Sequence, residues 1–379
     1  MKPIRVLSIF GTRPEAIKMA PVVKSLEQNP AIESRICVTA QHREMLDQVL
    51  ELFNLHPDID LDIMKPDQSL AALTADLFTH LDPVLLEEKP DWVLVQGDTT
   101  TVMAASLSAF YRGIRVGHVE AGLRTGDKFH PFPEEINRQI TSVVADLHFA
   151  PTDFARANLL REGIPDGRIR VTGNTVIDAL NYIIDKPTPP QVEQWLQNWG
   201  IGKEDRRLVL VTAHRRENFG APIRQICQAL RVLSEHFGRE VQFIYPVHLN
   251  PNIQIPVHEL LADLENVHLV DPLDYLSLIH LMRSATVVLT DSGGIQEEAA
   301  GLGKPTLVLR EVTERPEGLQ AGVLRLVGSD PQKIIDETTR LLEDEAAYAR
   351  MAQATNIFGD GKAAARIVDA LVTFAEDPV

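Results

Sequence analysis

The chain has few cysteines and no long apolar run. Its 379 residues include two cysteines, Cys37 and Cys227, which stand far apart and lack the spacing of a metal site. Isolated thiols of this kind are typical of buried cysteines in a reducing compartment, so we expect a cytoplasmic protein. No hydrophobic segment approaches the roughly 20 residues that a transmembrane helix needs, so we expect no association with membrane lipid.

Positive charge is also scarce, because the formal net charge is −16. Such a chain repels the phosphates of nucleic acid and the head groups of anionic lipid, so neither is an expected partner. An anionic small substrate would need a local basic cluster. The candidate cations are Arg13, Lys18, Arg215, Arg216 and Arg315.

The sequence also lacks a dinucleotide fingerprint. The first apolar run, Ile4–Phe10, leads into the turn Gly11-Thr12-Arg13-Pro14-Glu15 without the spacing G-x-G-x-x-G. Nothing here indicates bound nicotinamide, and we expect neither a cofactor nor a metal. Three aspartates do alternate, as in some metal sites, but period-2 acids are more typical of the exposed face of an edge strand. They are Asp58, Asp60 and Asp62.

What the chain does contain is a regular alternation of apolar, β-rich runs and helical patterns. Among the predicted elements are a helix from Ala16 to Leu26 and strands over Ile36–Thr39 and Val287–Thr290. With 379 residues, 44% of them hydrophobic, it can form two domains with separate cores. We predict an α/β protein with two doubly wound Rossmann-like domains facing a cleft. The Pro-rich segment Lys186–Pro190 indicates a boundary, which gives a first domain over 1–180 and a second over 181–361. A closing helix is predicted over Gly361–Glu376.

The most informative stretch is Val287–Pro305, in which an apolar strand is followed by Ser292-Gly293-Gly294 and a helix. A strand, a small-residue turn and a helix N-terminus form an anion site, because free N–H groups and the helix dipole converge there. We expect this turn to bind a diphosphate. Glu298 shares a helix face with Gly294, and its carboxylate could accept hydrogen bonds from a ribose. An ordinary tight turn followed by acids in the first helical turn, Glu297 and Glu298, is the alternative.

Three carboxylates of the first half lie at the ends of predicted elements. Asp98 comes after the strand Trp92–Gln96, Glu120 comes after Arg115–Val119, and Glu134 opens a helix behind Pro133. Ligands of open α/β sheets bind at the carboxyl ends of the strands. Each acid alone is more simply explained as a helix cap, but three of them along one edge favour acid/base chemistry.

A polar turn in the second half matches the first one. The strand Arg207–Val211 leads into Thr212-Ala213-His214-Arg215-Arg216-Glu217, so the two halves could share one architecture. His214 could be a neutral core histidine. Its position at a strand end beside two arginines favours a ligand contact instead.

Eight segments give the chain a family resemblance. They are Phe10–Ala20, Gln41–Val49, Gly97–Thr101, Gly117–Asp127, Pro133–Arg138, His214–Glu217, Pro246–Pro251 and Asp291–Glu298. In order and spacing they resemble the non-hydrolysing UDP-N-acetylglucosamine 2-epimerases of bacteria. The resemblance implies a glycosyltransferase-B-type fold in which the C-terminal helix, 362–379, packs back on the first domain. It also implies a homodimer.

The resemblance further implies conversion of UDP-N-acetylglucosamine to UDP-N-acetylmannosamine for cell-surface polysaccharide synthesis. UDP would be eliminated to leave 2-acetamidoglucal and would then add back. By matching position, Asp98, Glu120 and Glu134 resemble the acid/base carboxylates, and His214 resembles the residue at the departing phosphate. The positions resembling substrate-binding residues are Arg13, Lys18, Arg215, Ser292, Gly293, Gly294, Glu298 and Arg315.

A second, activating substrate site is also implied by the resemblance. Its matching positions are Gln41, His42, Glu44, Arg215 and His248. Glu44 stands where some relatives carry glutamine, and the segment around it could simply be a helix start. The competing functions are a glycosyltransferase, a hydrolysing epimerase and a catalytically silent nucleotide-sugar sensor.

Overall fold

The protein forms two compact units in its computed structural model. Unit 1 comprises Met1–Asn181 and Phe358–Val379, and unit 2 comprises Tyr182–Ile357. The structure describes residues 2–39, 43–63, 65, 68–202, 206–353 and 356–376. Among these residues, no helix is both long enough and apolar enough to cross a bilayer.

Unit 1 alternates strands with helices. Its strands are β1 (Ile4–Phe10), β2 (Ile32–Val38), β3 (Ile59–Asp60), β4 (Trp92–Gln96), β5 (Arg115–Val119), β6 (Leu147–Ala150) and β7 (Ile169–Val171). Its helices are α1 (Arg13–Glu27), α2 (Arg43–Phe53), α3 (Leu70–Glu88), α4 (Thr100–Tyr111), α5 (Glu134–Val144), α6 (Asp153–Arg161), α7 (Thr175–Ile184) and, from the end of the chain, α16 (Ala363–Glu376). The last three residues of α7 belong to unit 2.

Unit 2 repeats the alternation. Its strands are β8 (Arg207–Thr212), β9 (Val241–Pro246), β10 (Val267–Val270), β11 (Val287–Thr290), β12 (Thr306–Val308) and β13 (Leu324–Leu326). Its helices are α8 (Pro190–Asn198), α9 (Ala221–Phe237), α10 (Pro251–Leu261), α11 (Tyr275–Ser284), α12 (Gly293–Gly301), α13 (Pro316–Gln320), α14 (Pro331–Glu343) and α15 (Glu345–Met351).

Both sheets are parallel and share one winding pattern. The order is β3-β2-β1-β4-β5-β6-β7 in unit 1 and β10-β9-β8-β11-β12-β13 in unit 2. Helices cover both faces of such sheets, so their central strands are buried throughout, as β4 and β11 are. The predicted α/β class with two doubly wound sheets is therefore confirmed.

The C-terminal helix belongs to unit 1, where α16 packs against α1. Its Phe374 meets the buried Trp92 of β4 edge to face, with ring centroids 5.2 Å apart. The guanidinium of Arg115 lies 5.7 Å from the Trp92 ring and 5.4 Å from the Phe374 ring. This cluster covers the start of β4 and β5 with aromatic surface and a cation–π contact.

The start of one helix, the start of one strand and the presence of a further strand differ from the sequence-based expectation. Helix α1 begins at Arg13 rather than at residue 16, because Thr12 and Glu15 form a capping box. Strand β2 begins at Ile32, ahead of the predicted Ile36, because its first four residues pair with β1 and so extend the ladder. The short edge strand β13 was not predicted from the sequence, since a three-residue run carries little periodicity.

Two histidines inside the unit 1 sheet should make the protein sensitive to acid. His118 and His148 face each other across β5 and β6. Burial lowers the pKa of His118 to about 4 and that of His148 to about 3. The unfolded chain binds these protons near pH 6.5 and the folded chain does not, so the free energy of unfolding falls as the pH drops below 6.5. We expect a loss of roughly 2 kcal/mol per histidine between pH 7 and pH 5.

Urea unfolding of unit 1 at the two pH values measures this loss. The variant His148→Gln should lose about half of the pH dependence, even though it is less stable at both pH values. The exposed His56 provides the matched control, because His56→Gln should leave the pH dependence intact. An unchanged pH dependence in His148→Gln would contradict the assignment.

Candidate functional site

The predicted site residues gather where each sheet reverses its strand order. In unit 1 the reversal lies between β1 and β4, and in unit 2 it lies between β8 and β11. Arg13 and Asp98 follow β1 and β4, while His214 and Ser292 follow β8 and β11. Ligands of open α/β sheets bind outside the carboxyl ends of the strands at such switch points. Each unit therefore carries candidate site residues at the carboxyl edge of its sheet.

Glu120 is held by side chains from three parts of unit 1. Its carboxylate accepts hydrogen bonds from the Lys18 ammonium at 2.6 and 2.8 Å. The side-chain amide of Gln96 donates to Oε2, and that of Asn174 donates to Oε1 at 3.3 Å. Donors from α1, from β4 and from the loop after β7 thus surround one buried carboxylate.

The backbone of Glu120 is strained. Its φ of +66° lies in the left-handed region, which costs a residue with a side chain about 1–3 kcal/mol. The conformation persists because the surrounding donors fix the side chain that it directs inward. Strain of this kind concentrates at functional sites, where it fixes the direction of a reacting group.

Asp98 is held by a chain of charged groups. The Arg138 guanidinium contacts Oδ2 of Asp98 through Nε at 2.9 Å and through Nη2 at 2.7 Å. Its Nη1 donates to the fully buried Glu135 at 3.0 Å, and Glu135 also accepts from the Thr125 and Gly126 amides. Arg138 lies four residues after Glu134, so α5 carries both the partner of Asp98 and Glu134 at its start. The helix couples two of the three predicted carboxylates.

A buried carboxylate joins the turns after β1 and β4. Glu15 accepts hydrogen bonds from the Gly11 and Thr12 amides at 2.8 and 2.7 Å and from the Thr99 hydroxyl at 2.5 Å. Burial raises the pKa of Glu15 above its usual value despite these hydrogen bonds. The contacts fix the start of α1, and with it Arg13, against the residue that follows Asp98.

Asp291 plays the corresponding part in unit 2. This fully buried residue accepts hydrogen bonds from the backbone amides of His214 and Arg215, both at 2.8 Å, and from the Asn218 side chain at 2.9 Å. Its other oxygen lies 3.5 Å from Nδ1 of His214. The turn after β8 is therefore built on the residue that follows β11.

The His214 ring is accessible, and it has an aromatic neighbour. Its side chain is 39% exposed. The ring stacks on that of His248, with centroids 5.7 Å apart and an interplanar angle of 14°. The structure thus brings together a predicted catalytic residue and a residue predicted for the second substrate site.

Arg315 lies against the glycine turn. A Cβ atom at Gly293 would come within 2.8 Å of its Nη1 atom, so a side chain at this position would displace the guanidinium. Arg315 donates to Glu297 at 2.9 Å and to Glu314 at 3.3 Å. Glu314 also accepts from Arg310 at 3.1 Å. The guanidinium is thereby oriented beside the N-terminus of α12. An anion bound there would be stabilised by the guanidinium charge and by the helix dipole.

The start of α12 differs from the prediction in one respect. The helix begins at Gly293, so Glu297 and Glu298 lie beyond its first turn rather than within it. Within the described chain, Ser292 makes no side-chain capping hydrogen bond, and a Cβ atom at Gly294 would meet open space. Uncapped N–H groups beside open space are what an anion site requires.

Glu298 is buried, and Tyr275 of α11 lies beside it. Burial, together with the charge of Glu298 and a hydrogen bond to it, raises the pKa of Tyr275 well above its ordinary value. The phenol therefore stays protonated beside a carboxylate that was predicted to bind a ribose.

The residues predicted for the second substrate site are only partly described. Gln41 and His42 lie outside the described residues, and so does the side chain of Glu44, whose backbone belongs to α2. Arg215 and the exposed His248 are both in unit 2. In the described part of the chain, no group of three or more histidine, cysteine or acidic side chains could hold a metal ion.

Sequence reasoning overlooked several residues of these clusters. They are Glu15, Gln96, Glu135, Arg138, Asn174, Tyr275, Asp291 and Glu314. Gln96 and Asp291 carried a usable signal, because each lies at or just after the carboxyl end of a predicted strand. For Asn174, the small polar turn Thr172-Gly173-Asn174-Thr175 after a strand was a similar signal.

Comparison with known proteins agrees with this geometry. A family model described as UDP-N-acetylglucosamine 2-epimerase matches residues 24–372. The chain is 55% identical over 370 residues to a UDP-N-acetylglucosamine 2-epimerase of Yersinia pestis, covering 97% of this chain and 98% of that one. It is 54% identical over 373 residues to an enzyme of the same name from Salmonella typhimurium, covering 98% of this chain and 99% of that one.

A solved structure gives the same result. The UDP-GlcNAc 2-epimerase from Neisseria meningitidis, crystallised with UDP-GlcNAc bound, superposes with a TM-score of 0.93 at 50% identity. The match covers 98% of this chain and 100% of that chain. The fold is thus of the glycosyltransferase-B type that the resemblance implied.

Proposed function

This chain belongs to the UDP-N-acetylglucosamine 2-epimerase family, and we propose that it interconverts UDP-N-acetylglucosamine and UDP-N-acetylmannosamine without net hydrolysis. The observation that carries the proposal is the Glu120 cluster. A strained, buried carboxylate held by one ammonium group and two amides suits a group that must meet a substrate hydrogen in one orientation.

The reaction must solve one chemical problem, because the hydrogen at C2 of the sugar is not acidic. We propose that the bond between C1 and the phosphate oxygen breaks first, with its electron pair leaving on UDP. Positive charge at C1 acidifies the C2 hydrogen, a carboxylate takes that proton, and the released pair forms the double bond of 2-acetamidoglucal. UDP then adds to C1 while a proton reaches the opposite face of C2. Atoms and charge balance over the cycle.

In unit 1 the proposed proton-handling groups are Glu120 and Glu134, with Asp98 positioning or protonating. The ion pairs support this assignment of roles, because Asp98 is paired with Arg138 whereas Glu120 is paired with Lys18. General acid/base groups commonly contribute ~10²–10⁴-fold to a rate. In this proposal Lys18 positions the Glu120 carboxylate, in addition to any contact that it makes with the substrate.

In unit 2 the proposed role is to bind UDP. The uncapped turn Ser292-Gly293-Gly294 and the oriented guanidinium of Arg315 support binding of the diphosphate, and the buried carboxylate of Glu298 supports binding of the ribose. His214 would meet the departing phosphate, since its ring is accessible and its backbone is fixed by Asp291. Arg215 is a further cation of this unit, whereas Arg13, which is also proposed to bind substrate, belongs to unit 1. Donors aimed at charge that grows during bond cleavage typically contribute a few kcal/mol each.

A single incubation tests the proposal. The protein is given UDP-N-acetylglucosamine alone in D₂O, and the products are separated and analysed by NMR. We expect UDP-N-acetylmannosamine with deuterium at C2, because the proton that returns comes from solvent.

The competing functions predict other results in the same incubation. Free UDP with free N-acetylmannosamine would indicate a hydrolysing epimerase. An unchanged substrate would leave a glycosyltransferase, which needs an acceptor, or a nucleotide-sugar sensor. The product is a nucleotide sugar, so the reaction that consumes it would be a glycosyl transfer, here to a cell-surface polysaccharide.

We also propose activation by a second substrate molecule. The stacking of His248 on His214 supports this activation, because a ligand bound to the His248 ring would influence the orientation of the His214 ring. Initial rates should depend sigmoidally on substrate, and His248→Ala should restore a hyperbolic dependence while retaining measurable turnover. The control is His236→Ala, an exposed histidine of α9 elsewhere in unit 2. Hyperbolic kinetics in the unaltered protein over a wide concentration range would exclude activation.

A homodimer is the proposed assembly, and an apolar surface of unit 1 supports it. Helices α3, α4 and α5 pack side by side. They expose Phe110 by 57%, Tyr111 by 70% and Val143 by 81%. Sedimentation equilibrium should give twice the chain mass, with dissociation in Val143→Lys and none in the control Val232→Lys on α9. A monomer at micromolar concentration would refute the assembly.

A further inference from the structure

We propose that Asn174 is a positioning residue for Glu120, and that it is anchored by the segment through which the chain re-enters unit 1. This inference rests on the proposed function, since it concerns how the proton-handling carboxylate is held. Asn174 directly precedes α7 and is 1% exposed.

The side chain of Asn174 uses both ends. Its Nδ2 donates to Oε1 of Glu120 at 3.3 Å, and its Oδ1 accepts from the amide of Val176 at 3.0 Å. The second contact, an Asx turn at the start of α7, fixes which end of the amide faces Glu120. Because Oδ1 is engaged, only the donor end is presented to the carboxylate.

The backbone of Asn174 is attached to the returning segment. Its amide donates to the carbonyl of Phe358 at 2.6 Å, and Phe358 is the residue at which the chain re-enters unit 1. A Cβ atom at Gly359 would lie 3.2 Å from this amide, and one at Gly173 would lie 3.1 Å from the Gly359 Cα atom. Two glycines therefore permit the close approach that the hydrogen bond needs.

Further contacts prevent the segment from shifting. Asp178 accepts hydrogen bonds from the Ala363 and Ala364 amides at 3.2 and 2.9 Å, so a side chain of α7 caps α16. Arg366 donates to the carbonyl of Thr172 at 2.8 Å. The returning segment, α7 and Asn174 are thus joined by hydrogen bonds, and the side chain of Asn174 connects them to Glu120.

The first test is Asn174→Asp. This change keeps the acceptor for Val176 but replaces the donor facing Glu120 with a negative charge. Lys18 from α1 and Gln96 from β4 also donate to Glu120, and His118 from β5 interacts with it electrostatically. His118 is neutral above pH 5, because burial lowers its pKa to about 4. A like charge favours protonation of a carboxylate, so the acidic limb of the kcat–pH profile should move up by about one pH unit or more. The KM should change less than twofold.

The control for this variant is Gln242→Glu in unit 2, the same amide-to-carboxylate change at a buried position that contacts Arg239 and His268. It should leave the midpoint of the pH profile unchanged. A merely structural role for Asn174 would lower kcat equally at every pH, so a folded Asn174→Asp enzyme with the wild-type midpoint would overturn the proposal.

A second pair of variants tests the anchor and does not depend on a new charge. Gly359→Ala places a methyl group against the amide of Asn174, and we expect at least a fivefold loss of kcat with KM unchanged. Gly163→Ala is the control, because Gly163 also has a positive φ but an added Cβ would meet open space among the described residues. Equal kcat in the two variants would overturn the anchor.

The wild-type protein is assayed first for deuterated epimer. If it forms none, the proposed function fails and the rate comparisons are not interpretable as positioning. If it forms epimer and the variants behave like their controls, only the role of Asn174 fails.

Discussion

Replacement of Glu120 by glutamine should lower kcat by about 10³-fold, within the ~10²–10⁴ range that general acid/base groups contribute. The change removes the group proposed to handle the C2 proton. It also disturbs its surroundings, because Lys18, Gln96 and Asn174 all donate to this side chain. A glutamine would direct its own NH₂ group at one of these donors, and two donors cannot share a hydrogen bond.

The measurement is the rate of C2 deuterium incorporation, which reports proton exchange even when epimer does not accumulate. Thermal unfolding distinguishes loss of the base from loss of the fold. Glu33→Gln, at an exposed position on β2, is the matched control and should retain full activity. Turnover near the wild-type rate in Glu120→Gln would show that another residue removes the proton.

Replacement of Asp291 by alanine should have the largest effect on stability. Three donors, the His214 and Arg215 amides and the Asn218 side chain, would lose their acceptor in a buried place. An unsatisfied buried donor costs about 1–3 kcal/mol, and the variant also loses the desolvation cost of a buried carboxylate. We expect a net decrease of about 3 kcal/mol in the free energy of unfolding of unit 2.

Asp291→Ala should also lower activity, because the backbone that carries His214 loses its support. Asp291→Asn, which keeps one acceptor oxygen, should be destabilised less and should retain more activity. The exposed Asp185 of unit 2 provides the control, and Asp185→Ala should unfold like the wild type. Equal urea unfolding curves for Asp291→Ala and Asp185→Ala would refute the role of Asp291 as the support of this turn.

The sequence alone indicated the role of Glu120 but not that of Asp291. Glu120 was identified from its position after a predicted strand and from the family resemblance. The role of Asp291 was not predicted, although the residue lies within Val287–Pro305, the most informative stretch of the sequence. Its partners His214 and Arg215 are 77 and 76 positions away, and no local pattern links them.

The strands show what local sequence determines. Runs such as Trp92–Gln96 and Val287–Thr290 were predicted with the bounds that the structure has, because a strand covered by helices on both faces must be apolar along its length. The turns after these strands were also predicted, since glycine and small polar residues at a strand end are required for close approach of the backbone. The short strand β13 and the first turn of α1 were misjudged, where few residues carry the signal.

By itself, then, the sequence determined the alternation of strands and helices, the acids and glycines at the strand ends, and the family. Tertiary structure alone decided which groups meet. Lys18, Gln96 and Asn174 reach Glu120 from positions 102, 24 and 54 residues away. The physical reason is that secondary structure follows from contacts within a few residues. The environment of a carboxylate instead depends on which strands become neighbours in the sheet, and the order β1-β4-β5 sets that only once the chain has folded.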